Sequence, residues 1–168
     1  LARLETAVAA KPALAAYLAA ARSLAGDQTG AMALNRQVLA QDPKNLLALN
    51  NQAFLLAAYE NNYAVALELV RQAQAVAGPL PGLLDTEGVI LMLDNKPEPA
   101  AERFAAASNE EPGAVASFHL AHAYHALSRP RDAKDALADA RRLRLRPADF
   151  HPLEQPTLAR VAKEIDAR

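Results

Sequence analysis

The chain has 168 residues, enough for one domain with a buried core. Hydrophobic residues make up 52% but aromatics only 5%, with no Trp and no Cys; an apolar set dominated by alanine favours closely packed helices, and the missing thiols exclude disulfides and thiolate metal sites. With 18 basic and 19 acidic residues the net charge is −1, which gives no general attraction to nucleic acid or to an anionic membrane.

Residues 1–10 carry Leu1, Leu4 and Val8 at helical spacing, as the second helix of a preceding repeat would. The start at Leu1, without Met or a signal-like segment, reads as a fragment of a longer or processed protein. From there a period takes over. A small residue recurs at Ala19, Ala53, Gly88 and Ala121, at intervals of 34, 35 and 33. Two alanine-rich columns keep that period, Ala31, Ala66, Ala100 and Ala133, then Val38, Ala73, Ala107 and Ala140. Three residues before the last column stand Asn35, Val70, Phe104 and Leu137; Asn35 departs from an otherwise apolar position. Gly26-Asp27, Asn61-Asn62, Asn95-Lys96 and Ser128-Arg129 read as turns between two helical runs. Pro97, Pro112 and Pro130 mark helix starts, and Pro43 and Pro79 mark breaks between repeats. Each repeat is predicted to be helix, turn, helix, break. The last stretch, with Leu153, Leu158, Val161 and Ile165 at helical spacing, fits an end-capping helix after a connection containing Pro147.

This spacing resembles the tetratricopeptide repeat. The best match is LLDTEGVILMLDNKPEPAAERFAAASNEEP (83–112), with Gly88, Leu91, Ala100, Phe104, Ala107 and Pro112 at motif positions and Glu87 where the motif prefers Leu. The next is ASFHLAHAYHALSRPRDAKDALADA (116–140), with Leu120, Ala121, Tyr124, Ala133 and Ala140. The resemblance implies an all-α, right-handed superhelical solenoid of antiparallel helix pairs, about four repeats with a C-terminal capping helix. The expected organisation is a single domain: 1–11 as a remnant helix, 12–45, 46–80, 81–113 and 114–146 as repeats, and 147–168 as connection and cap. The second half is also similar to the C-terminal ends of bacterial tetratricopeptide arrays, including those of exopolysaccharide and cell-envelope systems.

In that family the first helices line a concave groove. The resemblance carries the role to Asn50, Asn51, Phe54, Asp85, Thr86, Val89, Met92, Phe118, His119 and His122, a mixture suited to a peptide or a partner helix. For Phe54 and Phe118 the alternative is packing between neighbouring repeats. The family's basic clamp for acidic chain termini is lacking, since only Asn51 matches it, and the column Tyr17, Asn51, Thr86, His119 is polar without being the family's asparagine ladder.

His119, His122 and His125 run at i, i+3 and i+6, so two share a helix face and the third has rotated away. With Asp85 from a neighbouring helix they make a weak metal set; groove or surface histidines are the simpler reading, and no metal and no cofactor are expected. Arg141, Arg142, Arg144 and Arg146 read first as solvated charges near a helix C-terminus. There is no phosphate-binding glycine loop and no serine in a nucleophile-elbow context. The expected function is therefore non-catalytic: a scaffold for a protein or peptide partner, with no nucleic acid and no membrane insertion. Alternatives are a structural segment of a larger array in a bacterial envelope or polysaccharide-export assembly, and an accessory domain of a larger enzyme.

Overall fold

A computed structural model of the chain describes residues 11–167. The remnant helix expected over 1–11 lies almost wholly outside them. Among the described residues there are nine α-helices and no strand: α1 (Pro12–Leu24), α2 (Gln28–Gln41), α3 (Leu46–Ala58), α4 (Tyr63–Ala77), α5 (Pro81–Leu93), α6 (Pro97–Glu110), α7 (Ala114–Ala126), α8 (Pro130–Arg142) and α9 (Gln155–Asp166). A 3-10 turn, Pro147–Asp149, precedes α9. The contacts divide the chain into two compact units, one ending at Gly78 and one beginning at Pro79. Each holds two helix pairs: α1–α2 and α3–α4 in the first, α5–α6 and α7–α8 in the second, where α9 also packs on α7 and α8.

Local chemistry explains where the helices begin and end. Pro12, Pro81, Pro97 and Pro130 stand in first turns, where a missing N–H leaves no hydrogen bond unmade. Asp27, Asn45 and Asn62 cap α2, α3 and α4 by accepting from the backbone N–H of Gly30, Ala48 and Val65. Within each pair the chain reverses through one left-handed residue, Gly26, Asn61, Asn95 or Ser128. These residues follow the repeat period and coincide with the turns read from the sequence.

The three repeating columns are the seam of each pair. Ala19, Ala53 and Ala121 are fully buried, as are all members of the two alanine-rich columns. Small side chains let two helices approach closely, and one bulky residue then fills the gap. In the third pair that residue is Phe104, whose ring lies directly on Gly88. A Cβ added to Gly88 would fall 2.7 Å from Phe104 Cδ1 and 2.8 Å from Cζ. Leu137 and Val70 occupy the equivalent place in the fourth and second pairs, both fully buried. In the first pair the place belongs to Asn35, also fully buried, and neither its Oδ1 nor its Nδ2 has a hydrogen-bond partner. An unmet buried amide is a debit that an apolar side chain of similar size removes.

The first unit's core holds Ala15, Ala16, Ala19, Leu34, Val38 and Ala48, with Met32, Leu49, Leu55 and Val70 also buried. The second is richer in large groups, joining Phe118, Leu137 and Phe150 to Leu158, Val161 and Ile165 from α9. One residue expected on the capping helix departs from it: Leu153 lies in the turn before α9 and is partly exposed, because the helix does not start until Gln155.

The seam yields two stability predictions. Gly88→Leu should lower the unfolding free energy by ~1–3 kcal/mol through overpacking, measured by urea denaturation, and Phe104→Ala in the same chain should recover part of the loss. Asn35→Leu should act in the opposite direction and stabilise by ~1–3 kcal/mol; a lowered denaturation midpoint would show that the Asn35 amide is satisfied in solution.

Candidate functional site

In the first unit, α3 places Asn50, Asn51 and Phe54 at half-buried positions. Asn50 Oδ1 and Asn51 Nδ2 have no hydrogen-bond partner, one an acceptor and the other a donor on adjacent residues. Phe54 follows three residues after Asn51 and four after Asn50, on the same side of the helix.

In the second unit the residues expected to line a groove separate into two groups. Asp85, Met92 and His122 are half-buried, at the edge of the surface. Thr86, Val89, Phe118 and His119 are buried. The Thr86 hydroxyl donates to the Gly82 carbonyl one turn back, at 3.0 Å. Phe118 meets Phe150 edge-on, with ring centroids 5.3 Å apart. Of the two readings of Phe118, packing is therefore the one its position matches.

His119 sits at the centre of this unit. Its Nδ1 is 2.9 Å from Asp85 Oδ1 on α5, and its Nε2 is 3.1 Å from Glu154 Oε1 at the start of α9. The ring lies 5.1 Å from that of Phe104 and 5.5 Å from that of Phe150. Burial by itself pushes the imidazole pKa down, but the Asp85 charge, hydrogen bonds to Asp85 and Glu154, and the Glu154 charge together raise it to about 10. The ring is thus an imidazolium at neutral pH, donating from both nitrogens and seated against aromatic groups. Asp85 and His119 are 34 residues apart, so the repeat period itself brings them together on neighbouring first helices.

Its neighbours on α7 behave differently. Burial, then the charges of His119, Arg160 and His125, push His122 down to about 4, so it stays neutral. His125 lies 3.1 Å from Glu164 on α9. Of the weak metal set, Asp85 does reach His119, but as a hydrogen-bond partner. Among the described residues no three His, Asp or Glu side chains converge where a metal ion would sit.

Three of the arginines around the end of α8 are paired with carboxylates. Arg141 makes a two-point contact with Asp166, at 3.0 and 2.7 Å, and Arg142 and Arg146 pair with Asp139 and Asp149. Arg129 covers the Tyr124 ring, 4.3 Å from its centroid. On the face of α7 opposite His119, a cavity of about 450 Å³ is lined by Ser108, Ser117, Leu120, Tyr124 and Arg142 among others.

Sequence reasoning did not single out Glu154 or Phe150. Both stand in the irregular stretch after α8, outside the period, and only the return of the chain onto α7 brings them to His119.

No protein-family model matches the chain, and no curated protein matches it. Solved structures do. TTC0263, a tetratricopeptide protein of Thermus thermophilus, matches with a TM-score of 0.73 at 18% identity, over 91% of this chain and 80% of that one. PilF of Pseudomonas aeruginosa matches with a TM-score of 0.72 at 23% identity, over 91% and 69%. MamA of Desulfovibrio magneticus matches with a TM-score of 0.67 at 18% identity, over 80% and 76%. The chain therefore has the tetratricopeptide-repeat fold. Among the described residues no helix is long and apolar enough to cross a membrane.

The buried bridge sets a pH dependence. A group whose folded pKa is raised contributes stability that is complete below its unfolded value, 6.5, and is lost as pH climbs through about 10. Unfolding free energy should therefore fall between those limits, and His119→Ala should abolish that part of the profile. The same substitution should lower stability at pH 7 by ~1–3 kcal/mol, because the charge-assisted hydrogen bonds to Asp85 and Glu154 are lost. A pH profile of urea unfolding that is identical for both chains would contradict this.

Proposed function

We propose that the chain is a non-catalytic scaffold that binds an extended segment of a protein partner on its first helices. The observation that carries this is the half-buried surface of α3, where Phe54 stands one turn from the side chains of Asn50 and Asn51. An extended peptide offers backbone N–H and C=O groups that asparagine side chains can pair. Its side chain finds an apolar surface at Phe54. In the second unit, Asp85, Met92 and His122 are half-buried groups of the same mixed kind, with His122 neutral and able both to donate and to accept.

Affinity capture from the source lysate, followed by titration of the captured partner, tests the reading. Phe54→Ala and Asn51→Ala should each weaken binding, Phe54→Ala by ~30-fold if it is an energetic hot spot. Arg103→Ala, on a second helix, should leave binding unchanged. Equal affinity for all four chains would place the contact elsewhere and favour the alternative, a structural segment of a larger bacterial array in which the first-helix surface is incidental.

A further inference from the structure

The polar side of the contact between α7 and α9 is built on a row of histidines. At about 100° per residue, His119, His122 and His125 span an arc of about 120° around α7, with His122 at its middle. Both ends of the arc are tied to α9. His119 Nε2 lies 3.1 Å from Glu154 Oε1, at the residue before the helix, and His125 Nε2 lies 3.1 Å from Glu164 Oε2 in its last turn. The earlier histidine meets the earlier carboxylate, so α9 runs along α7 in the same direction and lies over the arc between them. Leu158, Val161 and Ile165 supply the apolar side of the contact.

His122, in the middle, has the opposite electrostatic setting. Burial first, and then the charges of His119, Arg160 and His125, oppose a proton on its ring. Glu164 favours one, but that carboxylate is already shared between His125 and Arg160. The other charges around the contact are spoken for: Asp85 of α5 is bonded to His119, and Arg141 of α8 to Asp166 of α9. Moving α9 away takes Arg160 with it and returns the ring to water. Its proton affinity then rises from about 4 to its ordinary value of 6.5. A group whose docked pKa is depressed supports docking fully above 6.5 and ceases to do so as pH falls toward about 4, so proton uptake accompanies release and drives it. His119 does not oppose this, because Asp85 stays beside it when Glu154 leaves.

We propose that α9 is a pH-sensitive latch, held on the histidine row of α7 at neutral pH and released when His122 takes up a proton. The helix pairs α5–α6 and α7–α8 stay folded when it leaves.

Native-state hydrogen exchange, corrected for the intrinsic effect of pH on amide exchange, reads the docking equilibrium of α9. One proton taken up between 6.5 and about 4 should lower α9 protection by ~20-fold more in the wild-type chain than in His122→Gln on going from pH 7 to pH 5. The other titrating groups of the contact are common to both chains, so the difference isolates His122. Amides of α6 should be better protected than those of α9 at both pH values. His122→Arg, which fixes a charge at the same place, should bring α9 protection at pH 7 down to the wild-type level at pH 5 or below, with α6 still protected as the sign that the variant is folded. Equal pH slopes in the wild-type and His122→Gln chains, α9 and α6 opening together at one free energy, or α9 protection unchanged in His122→Arg would each overturn the proposal.

Discussion

Two helices of ordinary side-chain size sit 8–10 Å apart, and this chain draws its pairs together by placing alanine or glycine wherever they cross. Everything else in each repeat follows from that close approach. The small columns bury little area per residue, so a single larger group has to fill the remaining gap, and its identity decides how well the pair is sealed. Phe104 does so against Gly88, where no Cβ would fit. Leu137 and Val70 do so with less bulk, and Asn35 does so with a polar amide that satisfies nothing. The two units therefore share one design at different degrees of completion, and the second, with its aromatic and aliphatic core, is the better filled.

The charged bridge in the second unit belongs to this picture. His119 takes a first-helix position, and its two nitrogens reach carboxylates on α5 and at the start of α9. A buried cation held between two anions adds less net stability than its short distances suggest, because all three groups were desolvated to form it. What it adds is specificity. Glu154 and Phe150 have to return to α7 in one register, or a charge is left unpaired in an apolar surround. The bridge pins the capping helix in sequence register, while Leu158, Val161 and Ile165 provide the apolar contact.

Much of this was legible in the sequence because a repeat prints the same constraint several times. The left-handed turn residues, Pro97 and Pro130 in first turns and the buried alanine columns stand where the period put them, whereas Pro112 lies before α7, which starts only at Ala114. The surface was less legible. A period of about 34 residues identifies which positions are equivalent, but not which of them face solvent: Asn51, Thr86 and His119 are equivalent, yet Asn51 is half-buried and His119 lies deep in the core. Glu154 and Phe150 were invisible for a different reason, since the stretch that carries them obeys no period. Leu153 shows the same limit on a small scale, because helical spacing extended one turn too far toward the N-terminus.

Native-state amide hydrogen exchange tests most directly whether filling of the seam governs stability. The two units have the same number of helix pairs, each reversed through a left-handed residue; they differ in what occupies the gap and in α9, which packs on α7 and α8. The account predicts that amides of α2, around Asn35, open at a lower free energy than those of α6 and α8, around Phe104 and Leu137. Equal protection in the three helices, or the greatest protection in α2, would contradict it.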